Sequence, residues 1–369
     1  MRRGVIIAFL ILAAAIAGIL RIEDNQLNLD VNANTTKVGV ILRGTCLDRS
    51  YGQAHFDALE SLRGDLNLET VYREGVPPDC YKEIVNLIQD EGCRIIIGTS
   101  FDNAPYMELA AESYPEVCFI LVGGTAYRNN LSSFFGRMYQ VRYLSGIVAG
   151  RMTKTGEIGY VAAFPVPEVI RGINAFTLGV RSVRPDAIVR VRYCGSWTED
   201  APAGTACSEL VDRHPIDVVT VHTNSLQPLR EAERRGVWSI GYNVDNSEDF
   251  PNTYLMACVW NWAEYYRKEI LSCLQGKFHG TNEWVNMEDG IVSYSPPTEY
   301  VSLDTRFEME EAKERFKSRT FDVFYGPIVD NTGRTRIEAG ESMSDNEMLK
   351  NFKWYVEGVR IERQGMDGT

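Results

Sequence analysis

Five short segments carry residue types suited to holding a flat polar molecule, and each follows a strand-like apolar run. Arg43-Gly-Thr-Cys-Leu-Asp-Arg-Ser-Tyr-Gly52 comes first. Asp48 and Ser50 there are natural helix caps, and Tyr51 is an aromatic at the helix start. In Thr99-Ser-Phe101, Ser100 offers a hydroxyl and Phe101 a ring at a strand end; the competing reading is that Phe101 caps the core. Trp197, inside Cys194-Gly-Ser-Trp-Thr-Glu-Asp200, suits one wall of an aromatic sandwich, or else packs on its own surroundings. Asn224, in His222-Thr-Asn-Ser225, both donates and accepts, which matches the edge of a base such as adenine. Gly241-Tyr-Asn-Val-Asp245 adds Asn243 and Asp245. His222 reads as a satisfied structural residue, and Trp260 and Trp262 as core, with one indole facing ligand as the alternative.

None of this is bond-breaking equipment. The chain has no Gly-x-Ser-x-Gly elbow, Walker loop or Gly-x-Gly-x-x-Gly turn, so no enzyme is expected. His55, His214, His222 and His279 are scattered and no Cys-x-x-Cys occurs, so neither a metal nor a cofactor is expected.

The elements that must position these segments alternate. Apolar runs at 37–42, 68–72, 94–98 and 117–122 read as strands, with helical spacing at 53–66, 81–91 and 103–114 between them. The order then restarts: strands at 156–162, 188–193, 218–221 and 238–241, helices at 166–183, 203–214 and 226–235. Strand–helix–strand repetition predicts an α/β protein with two doubly wound parallel sheets, ligand lying beyond the strands' carboxyl ends. Asn331-Thr-Gly333 between Ile328-Val329 and Arg336-Ile337 predicts a hairpin. Ser344 with Glu347 predicts a capping box on a short helix over 344–352.

A net charge of -12 argues against nucleic acid as a partner. Met1-Arg-Arg-Gly followed by the apolar run Val5 to Leu20 predicts an export signal over 1–20, cleaved or kept as an anchor, then a flexible lead-in over 21–36. Eight cysteines in an exported chain predict disulfides. Strand adjacency suggests Cys46–Cys80 and Cys194–Cys207, with Cys93 and Cys118 either paired or buried as thiols.

Longer stretches resemble a known family. Phe134-Phe-Gly-Arg-Met-Tyr-Gln-Val-Arg-Tyr-Leu-Ser-Gly-Ile-Val-Ala149, Gly159 to Phe176, Val259-Trp-Asn-Trp-Ala-Glu-Tyr-Tyr266 and Phe324-Tyr-Gly-Pro-Ile-Val-Asp330 together resemble the basic membrane protein family of solute-binding receptors. The resemblance implies a two-lobed type I periplasmic-binding fold whose lobes, joined by crossing strands, close on a solute. It implies lobe 1 over 37–153 plus 257–290, lobe 2 over 154–256 plus 291–320, crossings near Thr153, Met256 and Ile291, and an extension over 321–369 packed on the lobes. It also implies an exported monomer, periplasmic or otherwise extracytoplasmic, that hands its ligand to an ABC permease. The family's lipobox cysteine is absent, the first cysteine being Cys46, which argues against a lipoprotein.

On that resemblance Asp48, Arg49, Ser50 and Tyr51 match a purine-receptor motif by identity or type, with Tyr51 stacking on the base. Gly52 replaces a polar residue. Gly241 to Asp245 stands where nucleoside receptors carry two aspartates; Asn243 replaces the ribose-clamping one and Asp245 matches the other. The wording is closer to a subgroup that takes a free base such as adenine. A nucleoside receptor, or a membrane-tethered sensory domain, is the alternative. The implied ligand-binding residues are Asp48, Tyr51, Ser100, Phe101, Trp197, Asn224, Gly241, Asn243 and Asp245.

Overall fold

A computed structural model describes residues 35–318 and 320–362. The expected export signal over 1–20, and the lead-in but for its last two residues, lie outside them. No helix among the described residues is long and apolar enough to cross a membrane.

Along the first half the elements are β1 (Thr36–Ile41), α1 (Tyr51–Arg63), β2 (Leu68–Arg73), α2 (Tyr81–Gln89), β3 (Ile95–Gly98), α3 (Ala104–Ser113), β4 (Cys118–Val122), β5 (Leu131–Gly136), α4 (Met138–Met152), β6 (Glu157–Ala162), α5 (Pro167–Val183) and β7 (Ile188–Tyr193). There follow α6 (Asp200–Arg213), β8 (Val218–His222), α7 (Gln227–Arg235), β9 (Trp238–Asn243), β10 (Tyr254–Trp260), α8 (Ala263–Leu274), β11 (Asn282–Val285), β12 (Val292–Tyr294), α9 (Leu303–Lys317), β13 (Ile328–Val329), β14 (Thr335–Ile337) and β15 (Val359–Glu362).

The chain forms two compact units. Unit 1 comprises the residues up to Leu42, Ala58–Ser133 and Tyr265–Asn282; unit 2 comprises Arg43–Asp57, Phe134–Glu264 and the residues from Glu283 onward. In the sheet built on unit 1 the order is β11-β5-β4-β3-β1-β2, with β2, β1, β3 and β4 parallel. Ile95, Ile96 and Ile97 of β3 are all buried, which is why this run is continuously apolar instead of alternating. One face is covered by a core of Ile84, Leu87, Ile96, Met107 and Phe119.

Unit 2 carries the order β12-β10-β9-β8-β6-β7-β15. Its strands β15, β7, β6, β8, β9 and β10 are parallel, and β12 closes the edge antiparallel to β10. The α/β class and the doubly wound parallel sheets are as expected. The unit boundaries differ from the expected lobes. Residues 134–153 and β10 fall in unit 2, because β10 pairs with β9 along five positions and α4 packs along α5. The changes between units fall at 42/43, 57/58, 133/134, 264/265 and 282/283, not near Thr153, Met256 and Ile291.

The segment after 321 belongs to unit 2 and is held by Arg137, which precedes α4, and by polar side chains of α5. Arg137 forks onto Asp345 at 2.8 and 2.5 Å. Arg171 Nη1 donates to the Met348 carbonyl at 2.7 Å, and Asn174 both donates to Trp354 O and accepts from Val356 N. The hairpin β13–β14 forms as expected, and Ser344 and Glu347 cap one another reciprocally.

Neither expected disulfide forms. Cys194 Sγ donates to the Ser196 carbonyl at 3.1 Å and Cys207 Sγ to the Pro228 carbonyl at 3.5 Å. Cys80 Sγ accepts the amide of Asn103 at 3.4 Å. Both sulfurs of the expected Cys194–Cys207 bridge are thus spent on local backbone oxygens.

Candidate functional site

Within unit 2 the loop before α1 is organised by Asp48. Its carboxylate accepts the backbone N–H groups of Ser50, Gly52 and Gln53 at 2.8, 2.9 and 3.0 Å. It therefore caps α1, satisfying donors that have no partner inside the helix. Gly52 is required here because a Cβ would collide with the Thr45 carbonyl, which accounts for the missing polar residue. The loop delivers Ser50, buried, and Tyr51, half-buried.

Asn243 is the hub of the unit's strand ends. It sits at the end of β9 with φ of 75°, a left-handed conformation that asparagine tolerates better than most residues. Its Nδ2 donates to Ser50 Oγ at 2.8 Å and to Asn224 Oδ1 at 3.0 Å, while its Oδ1 accepts the Trp260 indole N–H at 3.1 Å. Both amide hydrogens are spent. Asn224 Oδ1 is likewise occupied, so its NH2 is the group left to face a ligand; it has no protein partner among the described residues. The Asn224 backbone N–H is fixed by the Trp197 carbonyl at 2.7 Å.

Behind the hub lies a stack of rings. Trp260 and Trp262 stack at 4.4 Å, and His55 stacks on Trp262 at 4.8 Å. Tyr51 meets His55 edge-on at 4.6 Å. Burial pushes the His55 pKa down to about 3, so the ring is neutral. Trp260 and Trp262 are core, the reading favoured from sequence.

Sequence reasoning missed the charged centre. Glu168, at the start of α5, accepts from His222 Nε2 at 3.0 Å, and His222 Nδ1 lies 2.9 Å from the Tyr160 hydroxyl. Burial depresses the His222 pKa despite Glu168, leaving the imidazole neutral. A carboxylate only accepts, so the single ring proton sits on Nε2 and Tyr160 O–H donates to Nδ1. Burial alone would raise the Glu168 pKa; His222, Arg171 and Arg142 outweigh it and hold the carboxyl below its ordinary value. The fully buried Arg142 lies 4.2 Å over the Tyr242 ring and donates to Thr220. Glu168 also raises the hydroxyl pKa values of Tyr51 and Tyr242, which burial had already lifted, so both remain protonated donors. The Glu168 side chain is 26% exposed, and its second oxygen has no protein partner among the described residues. The one sequence signal was Pro167-Glu168 opening a helix after a strand.

Beside this centre stands Trp197, half-buried, 6.3 Å from His222 and 6.1 Å from Phe164. Unit 2 thus gathers Tyr51, Trp197, Asn224 and Asn243 from the expected set, with Glu168 and Tyr242 added. Three expected residues take other roles. Asp48 is a cap. Gly241 is needed because a Cβ would strike the Tyr254 hydroxyl. Asp245 is exposed, its carboxylate accepting the Ser247 N–H at 3.0 Å in a surface turn. Ser100 and Phe101 belong to unit 1; Ser100 accepts from Asp102 N, and Phe101 is 51% exposed.

Residues 35–323 match the family described as "ABC transporter substrate-binding protein PnrA-like". The chain is 33% identical over 326 residues to the "Purine-binding protein" of Brucella abortus, covering 88% of this chain and 92% of that one. It is 32% identical over 316 residues to the "Putative ABC transporter glucose-binding protein TsgA13" of Haloferax volcanii, covering 85% and 78%. Among solved structures it resembles an ABC transporter solute-binding protein from Conexibacter woesei, with a TM-score of 0.66 and 19% identity over 78% of this chain and 98% of that one; this likeness speaks to the fold alone.

Proposed function

From the premise that the chain belongs to the Bmp family of PnrA-like ABC transporter substrate-binding proteins, we propose that its ligand is a free purine base of the adenine type. As a substrate-binding protein of an ABC importer it works outside the cytoplasm and delivers its ligand to a membrane permease.

The observation that carries the base reading is the occupied amide of Asn243. A ribose clamp needs a side chain that accepts two hydroxyls, and Asn243 has no such capacity left over. The groups still offering bonds suit a flat heterocycle. The open oxygen of Glu168 accepts from an exocyclic amine or ring N–H. The Asn224 NH2 and the protonated hydroxyl of Tyr242 donate to ring nitrogens. Trp197 supplies a face, with base–aromatic stacking worth about 1–3 kcal/mol. The relative named as a purine-binding protein supports the same reading.

A sugar is the second reading, because the relative named as a glucose-binding protein is nearly as similar and a carboxylate beside an indole also suits hydroxyls. Calorimetry with adenine, adenosine and glucose separates them. Tightest binding is expected for adenine. Preference for adenosine would restore the nucleoside reading, and glucose binding with no response to adenine would replace the purine reading altogether.

A further inference from the structure

Arg142 is a full charge with little to compensate it. It lies on α4 and is wholly buried. Its Nη1 donates to Thr220 Oγ1 across a long 3.4 Å. Its Nε and Nη2 are buried and have no hydrogen-bond partner among the described residues. What the guanidinium does meet is rings, 4.2 Å from the centre of Tyr242 and 5.7 Å from that of Tyr160. For packing alone a methionine would serve better, because burying a charge and leaving its donors unpaired both cost stability.

The Tyr160 ring leads onward to the ligand site. Tyr160, on β6, donates its hydroxyl to His222 Nδ1 at 2.9 Å. His222, on β8, donates from Nε2 to Glu168 at 3.0 Å. The run thus begins at a cation and ends at a carboxylate, and each bond in it donates toward the carboxylate. A cation against a phenol ring draws electron density from it, which makes the hydroxyl a better donor. A stronger bond at Nδ1 makes the Nε2–H a better donor in turn, since hydrogen bonds in series polarise one another.

We propose that Arg142 is a positioning residue for ligand binding: from behind the rings it polarises the Tyr160–His222–Glu168 chain, which fixes Glu168 with one oxygen left for the ligand. Tyr242, under the same cation, offers the ligand a sharpened donor. The ligand class so favoured brings N–H groups to an anionic oxygen. The inference rests on unit 2 being the ligand site. The charged and titratable groups facing Glu168 are His222 on β8, Arg171 further along α5 and Arg142 on α4, with the hydroxyls of Tyr51, Tyr160 and Tyr242 around them.

Arg142→Met, of similar length but uncharged, is the first test. It should melt at or above the parent, because an uncompensated buried charge has gone. In calorimetry it should nevertheless bind adenine about tenfold more weakly. Arg142→Lys, which keeps a cation against the rings, should regain most of that loss. If Arg142→Met binds like the parent, or melts well below it, the proposal is overturned. Tyr160→Phe breaks the chain at its second link. Its loss of affinity and that of Arg142→Met should be less than additive in the double variant, and strict additivity overturns the relay. The ligand-free protein gives a reading independent of ligand identity. The Glu168 carboxyl, followed by carboxyl-carbon NMR and assigned with Glu168→Gln, should titrate at higher pH in Arg142→Met and in Tyr160→Phe than in the parent. An unshifted titration in either variant overturns the proposal. A parent that ignores adenine while both titrations shift upholds it and refutes only the purine reading.

Discussion

Units 1 and 2 share a construction, strand then loop then helix around a parallel sheet, yet their strand-end loops have been put to different uses. In unit 1 the loop after β3 satisfies itself. Ser100 accepts from Asp102, Asn103 returns a bond to Ser100, and Phe101 is left in solvent. In unit 2 the loops satisfy each other. Ser50 and Asn224 come from two loops and Asn243 from the end of β9, and they close one network with the Trp260 indole as its fourth member. A loop capped from within touches few neighbours, here Cys80 Sγ through the Asn103 amide. An interlocked set ties its members to one another, and it fixes side chains to the precision that recognition needs.

The sharpest way to break this contrast is Asn243→Ala. It leaves the Trp260 N–H and the Ser50 hydroxyl buried without their partner, at about 1–3 kcal/mol for each orphaned group. Urea unfolding should show a loss of about 2–4 kcal/mol, and purine affinity should fall with it. A midpoint equal to the parent's would mean the network is incidental. Next in size, Trp197→Ala should lower adenine affinity by about 1–3 kcal/mol, with an unchanged urea midpoint. Calorimetry beside a melt separates a binding wall from a packing residue.

Acid should act through unit 2 as well. His55 has a folded pKa of about 3 and an unfolded one near 6.5. The unfolded chain therefore binds the proton more tightly. Stability is fully present above pH of about 6.5 and falls by up to ~1.4 kcal/mol per pH unit as pH drops toward the folded value. Melting temperatures from pH 8 to 4 should show this decline, and His55→Phe, which keeps a ring against Trp262, should flatten it. The smallest effects belong to unit 1. Ser100→Ala should cost about 0.5–1 kcal/mol of stability, and Phe101→Ala should leave stability unchanged, as an exposed ring predicts. If Phe101→Ala weakened adenine binding as much as Trp197→Ala, unit 1 would have to be counted as a supplier of binding residues.

The sequence signals succeeded where the physics was local. The runs at 94–98 and 218–221 sit within one residue of β3 and β8, because continuous burial demands continuous apolar character. Pro167 marked the start of α5 correctly, and the Ser344–Glu347 cap was readable from spacing alone. What failed was assignment across distance. Tyr254 to Trp260 is an apolar run that either sheet could have taken, and only its pairing with β9 decides the matter. Asp48 and Asp245 looked like ligand groups by position, but both oxygens of Asp48 and one of Asp245 accept from neighbouring backbone. Glu168 went unseen because its meaning comes from His222, 54 residues away, and from guanidiniums on other turns. No spacing rule encodes a charge whose partners arrive from separate elements.

The outermost strand of unit 2 has a consequence for how the protein comes into being. β15 hydrogen-bonds in parallel to β7, and Arg190 reaches Glu362, 172 residues further along, at 2.8 Å. Until that distant stretch has been synthesised, the edge of β7 stays bare. A nascent chain therefore cannot finish unit 2 early, however complete the earlier strands are. The last strand thus sets the moment at which the sheet closes, and until then the bare edge of β7 is a template to which any other extended segment can pair.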